Sequence, residues 1–346
     1  MASLLKTRHL GKSGPIVSPM GVGTWAMGGP FFSGEGDSLP TGTALGWGKT
    51  QDTESIAALR YAVENGITLF DTADCYGAGH SEEVLGKALL TSRDQVLIAT
   101  KFGNTFNPQQ LSLTGTNVTA KYIQKACEDS LRRLQTSWID LYQLHIQGLS
   151  EQEIEVLVEA LESLCDQGKI RYYGWSTDQA ELTSQFLNKS RAVALQFDMN
   201  VINDAPQMLE SATYNQCAAI IRSPLAMGFL SGKYHPDTKL PSNDIRSNPP
   251  EWVKYFTKGG AAKTSLYQSL QAIREILTSN NRTLVQGALA WIWARDSNCI
   301  PIPGIRTIEQ AKENIAAIEH GPLSGSQVEE ITDILAQFHN NHDTDS

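Results

Sequence analysis

The feature that most limits the fold of this chain is a regular alternation of short, mostly apolar segments with longer amphipathic ones. A segment that is apolar along nearly its whole length, rather than at every second residue, is typical of a strand buried on both faces of a parallel sheet. The candidate strands are Met20–Thr24, Ile67–Asp71, Val96–Thr100, Ile139–Leu144, Arg171–Trp175, Val193–Phe197, Ala218–Arg222 and Cys299–Ile302. Eight strands alternating with helices predict an α/β protein of the (β/α)8, or TIM barrel, class.

The amphipathic segments predict the helices that connect these strands, because their apolar residues recur at helical spacing. Several follow a polar residue that can cap the first turn: Thr119 and Asp178 precede two of them, and Ser150 with Glu153 forms a capping-box pattern. The predicted helices are Asp52–Glu64, Ser81–Leu89, Ala120–Leu134, Gln152–Gln167, Gln179–Leu187, Ala205–Asn215, Lys263–Ser279 and Leu284–Ala294.

The alternation continues along the chain of 346 residues, which predicts one barrel domain over residues 1–346. A barrel needs roughly 250 residues, so the remainder fits an N-terminal β-hairpin and long loops. Thr7–Leu10 and Ile16–Ser18 predict that hairpin, which we expect to plug the barrel floor. Two loops, residues 28–48 and 229–260, follow candidate strands and should lie on the C-terminal face, where barrel active sites are built. Parts of each loop could instead be surface insertions without a functional role.

The composition argues against several classes of partner. The net charge is −9 and the Lys and Arg residues are scattered, whereas nucleic-acid binding needs clustered cations. The five cysteines lie far apart, which predicts neither a disulfide framework nor a zinc site and favours a reducing cytoplasm. Met1–Leu10 lack the apolar core of a secretory signal, and no segment approaches the roughly 18 apolar residues of a membrane span. We therefore expect a cytoplasmic protein with a small-molecule partner, of undetermined oligomeric state.

Several familiar motifs are missing from the sequence. No G-x-G-x-x-G follows a strand, so a Rossmann dinucleotide site is not predicted. Gly42–Thr50 ends like a phosphate loop, but Thr43 stands where the first glycine is needed and no strand leads into the segment. The histidines show no H-E-x-x-H spacing and no serine lies in G-x-S-x-G, so we expect neither a metal site nor a serine hydrolase.

Polar side chains with catalytic potential follow three consecutive candidate strands. Asp71 ends one strand, and Tyr76 lies in the glycine-bearing loop after it. Lys101 and His145 directly follow the next two strands. Because the carboxyl ends of barrel strands share one face, these four side chains should meet there.

Together these groups suit carbonyl reduction, in which hydride attack leaves negative charge on an oxygen that must be protonated. A phenol with a pKa of about 10 is a poor acid at neutral pH unless a cation stabilises its ionised form. Lys101 would be that cation for Tyr76, and Asp71 would hold Lys101 in place. His145 would donate a hydrogen bond to the carbonyl oxygen and orient the substrate. Each residue alone is more commonly structural, but their joint occurrence favours catalysis.

The blocks that carry these residues resemble the aldo-keto reductase superfamily, and the resemblance covers nearly the whole chain. They read F-D-T-A-D-C-Y-G at 70–77, S-E-E-V-L-G at 81–86, A-T-K at 99–101 and D-L-Y-Q-L-H at 140–145. The resemblance implies a bacterial-type, NADPH-dependent aldehyde or ketone reductase, with the cofactor extended across the C-terminal face and no Rossmann domain. It also implies a catalytic tetrad, made of Asp71, Tyr76, Lys101 and His145.

The same resemblance assigns residues to the cofactor, NADPH or NADP+. Ser176 and Gln196 would hold the nicotinamide carboxamide, and Thr177 stands where the family usually has Asn. Arg222 would lay its planar guanidinium on the nicotinamide, where an aromatic ring is common. The further cofactor residues are Gly23, Thr24, Trp25, Asp71, Ser223, Pro224, Leu225, Gly228, Lys233, Gly304, Gln310 and Asn314.

Two arginines are assigned to the cofactor's charged groups. Arg306 approaches the N-terminus of a helix on which Gln310 and Asn314 share one face. The helix dipole and the guanidinium would together favour the 2′-phosphate, and hence NADPH over NADH. The alternative role of Arg306 is that of a solvated loop residue. Arg246, in the second long loop, would clamp the cofactor as well.

The predicted substrate pocket is aromatic, which indicates acceptance of apolar aldehydes. Its residues are Trp25, Tyr76, His145, Phe31, Phe32 and Trp47. Three other functions stay open: an NADPH-binding regulatory or redox-sensing subunit, which the intact tetrad disfavours; an alcohol dehydrogenase using NADP+, which is the same chemistry in reverse; and a Schiff-base lyase on Lys101. The last would need an uncharged lysine, and the nearby Asp71 opposes that.

Overall fold

The centre of the fold is a sheet of eight parallel strands, which confirms the predicted (β/α)8 class. The computed structural model describes residues 7–342. The strands in this part of the chain are β1 (Arg8–His9), β2 (Ile16–Val17), β3 (Val22–Gly23), β4 (Phe32–Ser33), β5 (Leu69–Asp71), β6 (Leu97–Phe102), β7 (Asn104–Asn107), β8 (Ser112–Thr116), β9 (Ile139–Leu144), β10 (Ile170–Ser176), β11 (Ala194–Asp198), β12 (Ala218–Arg222) and β13 (Cys299–Pro301). The parallel strands follow the order β3, β5, β6, β9, β10, β11, β12, β13.

The first and last strands of this sheet meet and close it into a barrel. The N–H of Gly23 donates to the carbonyl of Pro303 at 3.1 Å, and a parallel bridge joins Gly23 to Gly304. Each of the eight predicted strands is present, with ends within two residues of those predicted. Strand β6 ends two residues later than predicted, because it stays paired with β9 as far as Phe102. Lys101 therefore lies inside β6 rather than after it.

The predicted helices surround the barrel, and two more follow them. The helices are α1 (Asp52–Glu64), α2 (His80–Leu89), α3 (Ala120–Leu134), α4 (Glu151–Asp166), α5 (Ala180–Lys189), α6 (Pro206–Tyr214), α7 (Thr264–Leu277), α8 (Leu284–Arg295), α9 (Ile308–His320) and α10 (Gly325–His342). The capping box of Ser150 is confirmed, and Thr119 caps α3. The prediction that Asp178 caps α5 is wrong: the N-cap is Gln179, and the Asp178 carboxylate accepts from the N–H of Asp198 at 2.9 Å instead.

Side chains that point into the barrel change from apolar to polar along the strands. A buried cluster fills the barrel interior, and it includes Leu69, Ala99, Leu141 and Ala194 together with Leu10 and Val17 of the N-terminal hairpin. The hairpin therefore closes the floor, as predicted. Because side chains alternate along a strand, the residues two positions further on face the same interior. Those residues are Asp71, Lys101, Gln143 and Gln196. The apolar layer thus supports a polar layer at the C-terminal mouth.

Both predicted long loops lie over this mouth, and they are more ordered than their composition indicates. Strand β4, in the first loop, pairs with the β7–β8 hairpin to form a separate three-stranded sheet. That hairpin was not predicted, since its Asn, Thr and Ser residues are typical of a loop. The two long loops also contact each other: the N–H of Ile245 donates to the carbonyl of Gly46 at 2.8 Å, and Trp47 bridges to Asp244.

Three further observations concern residues 7–342. No helix there is both long and apolar enough to span a membrane. No three His, Cys, Asp or Glu side chains are grouped so that they could hold a metal ion. All five cysteines are free thiols.

Candidate active site

A buried ion pair lies at the centre of the barrel mouth. The Lys101 side chain is fully buried, and its Nζ lies 2.5 Å from Asp71 Oδ1 and 2.7 Å from the carbonyl oxygen of Thr72. An ammonium buried without partners would lose its hydration uncompensated, and these two acceptors replace that hydration and hold the side chain in place. An ammonium has three donors, which leaves one for a further acceptor.

Two glutamines complete the surroundings of the carboxylate. The amide nitrogens of Gln196 and Gln143 donate to Asp71 Oδ2 at 2.7 and 3.3 Å. Gln143 was missed by the sequence reasoning, although its position two residues before His145 places it on the inward face of β9. Both oxygens of Asp71 therefore have partners, and the carboxylate is held in place at the barrel mouth.

Tyr76 is presented by a tight left-handed turn after β5. Gly77, Ala78 and Gly79 have φ values of 61°, 53° and 107°. A Cβ at Gly77 would lie 1.9 Å from the carbonyl oxygen of Gly28, so the first loop packs directly on this turn. Lys101 Nζ lies 5.0 Å from the centre of the Tyr76 ring. The tyrosine and the lysine are thus brought together, as the chemistry predicted for them requires.

His145 completes the group and faces the tyrosine edge-on. The ring centroids of Tyr76 and His145 are 5.8 Å apart with an interplanar angle of 87°. The histidine backbone is fixed on both sides: its N–H donates to the carbonyl of Phe102 and its own carbonyl accepts from Asn104 Nδ2, each at 2.8 Å. The ring nitrogen Nδ1 lies 3.7 Å from Cys75 Sγ.

Burial sets the protonation states of both groups. It lowers the pKa of His145 well below the usual value, and the cations Lys101 and Arg222 lower it further, so the imidazole is neutral at pH 7. Burial, followed by the charge of Asp71, raises the pKa of Tyr76 well above its usual value, with Arg222 opposing. The expected net lowering of the phenol's pKa by Lys101 is therefore not found. The phenol keeps its proton until a partner takes it.

An aromatic wall stands beside these groups. Trp25 stacks on Tyr76 with centroids 5.8 Å apart, and it contacts Trp47 edge-on at 5.2 Å and Trp252 at 6.1 Å. Trp252 is 48% exposed and comes from the second long loop; sequence reasoning missed it, because no local pattern places a loop side chain. Phe31 is buried in the main core instead, and Phe32 is half-buried in β4.

The sequence and fold of this chain are similar to those of known proteins of one family. A family model described as the aldo/keto reductase family matches residues 19–336. The chain belongs to this family. It is 32% identical over 301 residues to the NADP(+) aldo-keto reductase yakc of Schizosaccharomyces pombe, covering 82% of this chain and 83% of that one.

Solved structures of aldo-keto reductases have the same fold. The holo form of aldo-keto reductase AKR11C1 from Bacillus halodurans superposes with a TM-score of 0.74 at 28% identity, covering 95% of this chain and 96% of that one. Glycerol dehydrogenase AKR11B4 from Gluconobacter oxydans gives 0.79 at 26% identity, covering 98% and 97%.

In this aldo-keto reductase, the residues predicted to hold the nicotinamide lie on neighbouring strand ends. Ser176 Oγ lies 3.5 Å from Gln196 Oε1. The Thr177 hydroxyl donates to the carbonyl of Gln147 at 2.8 Å, so its oxygen already has a partner in the fold. Arg222 forms an ion pair with Asp178 at the rim. Gly23 lies in β3, and the Thr24 hydroxyl is buried against the Asp71 carbonyl at 3.0 Å.

The segment 223–233, which carries several of the residues predicted to contact the cofactor, begins directly after β12. Ser223 and Gly228 have φ values of 51° and 89°, and Pro224 and Leu225 lie between them. Lys233 follows and is exposed. These positions put the segment at the rim, beside the ends of the strands.

Arg246, the residue of the second long loop that was predicted to clamp the cofactor, is held by contacts within the protein. It is buried, and its guanidinium bonds to both oxygens of Asp244 at 2.9 and 2.7 Å and to the Tyr234 hydroxyl at 2.8 Å. It also lies 4.6 Å from the centre of the Trp47 ring. These contacts join the two long loops, so Arg246 has a structural role there; its predicted contact with the cofactor remains a prediction.

The residues predicted for the adenosine end cluster around α9. Gly304 bridges to β3, and the backbone N–H of Arg306 donates to Gln310 Oε1 at 2.7 Å. The Arg306 guanidinium donates to the carbonyl of Lys49 at 2.7 Å. Among the described residues, the buried amide nitrogen of Asn314 has no hydrogen-bond partner. A cavity of about 440 Å³ adjoins this region, lined by Trp47, Gly48, Lys49, Pro241, Asn243, Asp244 and Arg306.

Proposed function

We propose that this chain interconverts carbonyl compounds and alcohols with NADP(H) as cofactor, and that Tyr76 is the proton donor in reduction. The observation that carries the proposal is the meeting of Tyr76, His145 and the buried Lys101–Asp71 pair at one barrel mouth. Membership of the aldo/keto reductase family supports the same reaction class.

The residues of the chain divide the work of the reaction. A bound NADPH would supply the hydride. The neutral imidazole of His145 donates a hydrogen bond to the carbonyl oxygen, which orients the substrate and stabilises the developing negative charge. Tyr76 transfers its proton to that oxygen. The Lys101 ammonium, held by Asp71, stabilises the phenolate that remains, and in a buried site this interaction is strong.

The rim residues fit NADP(H). The buried amide nitrogen of Asn314 lacks a hydrogen-bond partner within residues 7–342, so it is available to donate to an acceptor nitrogen of the adenine ring. Arg306 lies directly before the N-terminus of α9, so its guanidinium and the positive end of the helix dipole would both attract a 2′-phosphate. Ser176 and Gln196 would hold the carboxamide. The relative from Schizosaccharomyces pombe carries NADP(+) in its name, which supports the same choice here. The free thiols fit a cytoplasmic location.

The aromatic wall supports an apolar aldehyde or ketone as substrate. Trp25, Trp47 and Trp252 offer flat apolar surfaces beside the Tyr76 hydroxyl. We therefore infer that aromatic aldehydes are reduced better than short polar ones.

Replacement of Tyr76 by Phe tests the proposal. The variant keeps the ring that packs on Trp25 but has no proton to give, so we expect kcat to fall about 10²- to 10⁴-fold for every aldehyde. NADPH binding, followed by cofactor fluorescence, should stay within about twofold of wild type. Turnover near the wild-type rate in Tyr76→Phe would show that the proton comes from another group. A wild-type chain that binds NADPH and reduces no carbonyl compound would instead indicate a regulatory subunit.

A further inference from the structure

The thiol of Cys75 lies next to the reacting groups without a role in the reaction described above. Cys75 immediately precedes Tyr76, and its side chain is 3% exposed. Its Sγ lies 3.7 Å from Nδ1 of His145, within the range of a sulfur hydrogen bond. Among residues 7–342, this thiol is the hydrogen-bond partner that reaches the imidazole ring, since Phe102 and Asn104 contact the backbone of His145.

The partner of Nδ1 matters because a neutral imidazole has one N–H and one lone pair. A donor for the substrate is available on Nε2 only when Nδ1 carries the lone pair. With the opposite tautomer, the Nε2 lone pair would face the lone pairs of the carbonyl oxygen and repel them. The two tautomers of a free imidazole are close in energy, so a single hydrogen bond is enough to select one.

The surroundings of the thiol make it the donor in this contact. Burial, and then the charge of Asp74, raise the pKa of the Cys75 thiol well above its usual value, so the sulfur carries its hydrogen. A thiol is a weak donor and a weak acceptor, whereas a neutral imidazole nitrogen is a good acceptor. An S–H that points at the Nδ1 lone pair is therefore favoured over an N–H that points at sulfur. Burial, and then the charges of Lys101 and Arg222, lower the pKa of His145, so the ring stays neutral and the choice of tautomer persists.

We propose that Cys75 is a positioning residue that holds His145 in the tautomer with hydrogen on Nε2, which aims the only imidazole donor at the substrate oxygen. The inference deepens the proposed function, because it specifies how the substrate-orienting residue is prepared before substrate arrives.

The tautomer can be measured directly in the full-length chain by nitrogen NMR of ¹⁵N-histidine-labelled protein, with the His145 signals assigned from a His145→Gln spectrum. We expect the wild type to show a protonated Nε2 and an unprotonated Nδ1. Cys75→Ala and Cys75→Val, which lack a donor, should both show a measurable fraction of protonated Nδ1. Cys75→Ser keeps a donor on the same Cβ and should restore the wild-type pattern at least in part. The two apolar variants of different volume separate loss of the donor from loss of packing.

Kinetics give a second readout. Loss of one neutral hydrogen bond should lower kcat/KM for an aldehyde about three- to tenfold in Cys75→Ala, with the larger part in kcat and with NADPH affinity unchanged. The matched control is Cys217→Ala, which removes another buried thiol whose contacts are backbone carbonyls of Ala192 and Asn215. It should match the wild type in rate and in the His145 spectrum.

A protonated Nδ1 in the wild type would overturn the proposal, and so would a His145 spectrum that is the same in Cys75→Ala and in the wild type. The NMR result does not need turnover. It therefore decides the role of Cys75 even if Tyr76→Phe proves active and the proposed proton donor is wrong.

Discussion

The buried pair of Lys101 and Asp71 makes a strong prediction about stability that is independent of catalysis. We consider Lys101→Met, which keeps an unbranched side chain of similar length but removes the charge. The wild-type Nζ lies 2.5 Å from Asp71 Oδ1, and both side chains are at most 4% exposed. The variant therefore leaves a carboxylate inside the barrel with Oδ1 unpaired, because Gln143 and Gln196 donate to Oδ2.

The size of the expected stability loss depends on whether one or both partners of the buried ion pair are replaced. Removing one partner typically destabilises a protein by about 3–5 kcal/mol, whereas replacing both by neutral groups is much closer to neutral. Because the two glutamine amides still donate to Asp71 in this variant, we expect a loss of stability at the lower end of this range, about 3 kcal/mol. In the double variant Asp71→Asn with Lys101→Met, the new amide oxygen can still accept from a glutamine and no unpaired charge remains. We expect that variant to lie within about 1–2 kcal/mol of wild type.

The assay is urea unfolding at pH 7 of the wild type, both single variants and the double variant, followed by tryptophan fluorescence. The expected interaction energy between the two sites is about 2 kcal/mol or more. All three variants should be poor catalysts, so stability separates them where activity does not. If Lys101→Met were as stable as wild type, or if the double variant lost the sum of the two single losses, the argument from an unpaired buried charge would be refuted.

Three further predictions test other parts of the structure. Gly77→Ala should lower kcat at least tenfold, because a Cβ at φ 61° and 1.9 Å from the Gly28 carbonyl oxygen would displace Tyr76. The control is Gly66→Ala, which also has a positive φ (84°) but no neighbour within 4 Å of the new Cβ. It should lower the free energy of unfolding by about 1 kcal/mol and leave kcat unchanged. Burial raises the pKa of Asp198 to about 6, so the folded state favours the neutral carboxyl. The stabilisation by this neutral form is complete below about pH 4 and is lost as the pH rises through 6. Asp198→Asn should therefore be more stable than wild type by roughly 1–2 kcal/mol at pH 7.5, with no difference at pH 4, in thermal unfolding at both pH values. Arg306→Gln should weaken NADPH binding about 10- to 100-fold and leave NADH binding unchanged by fluorescence titration; equal losses for both cofactors would contradict a 2′-phosphate contact.

Local patterns explain why so much of the barrel could be predicted. A strand buried on both faces must be apolar at nearly every position, and that requirement is visible without knowing its neighbours. The meeting of the residues assigned to the tetrad could be predicted for a related reason: parallel strands place their carboxyl ends on one face, so Asp71, Lys101 and His145 meet whatever the details of packing.

Other features depend on contacts between residues far apart in the chain, and no local pattern encodes them. Trp252 reaches Trp25 because the second loop folds back over the barrel mouth. Asp178 leaves its expected cap position because Asp198 and Arg222, on neighbouring strands, offer it better partners.

The sequence by itself determined the barrel and the placement of Asp71, Lys101 and His145 at one end of it, because alternation along strands and shared strand ends follow from backbone geometry alone. The tertiary structure decided the protonation states of Tyr76 and His145, the contact of Arg246 with Trp47 that joins the two long loops, and the approach of Cys75 to His145. Burial and the distance between side chains set each of these, and both quantities exist only once the chain is folded.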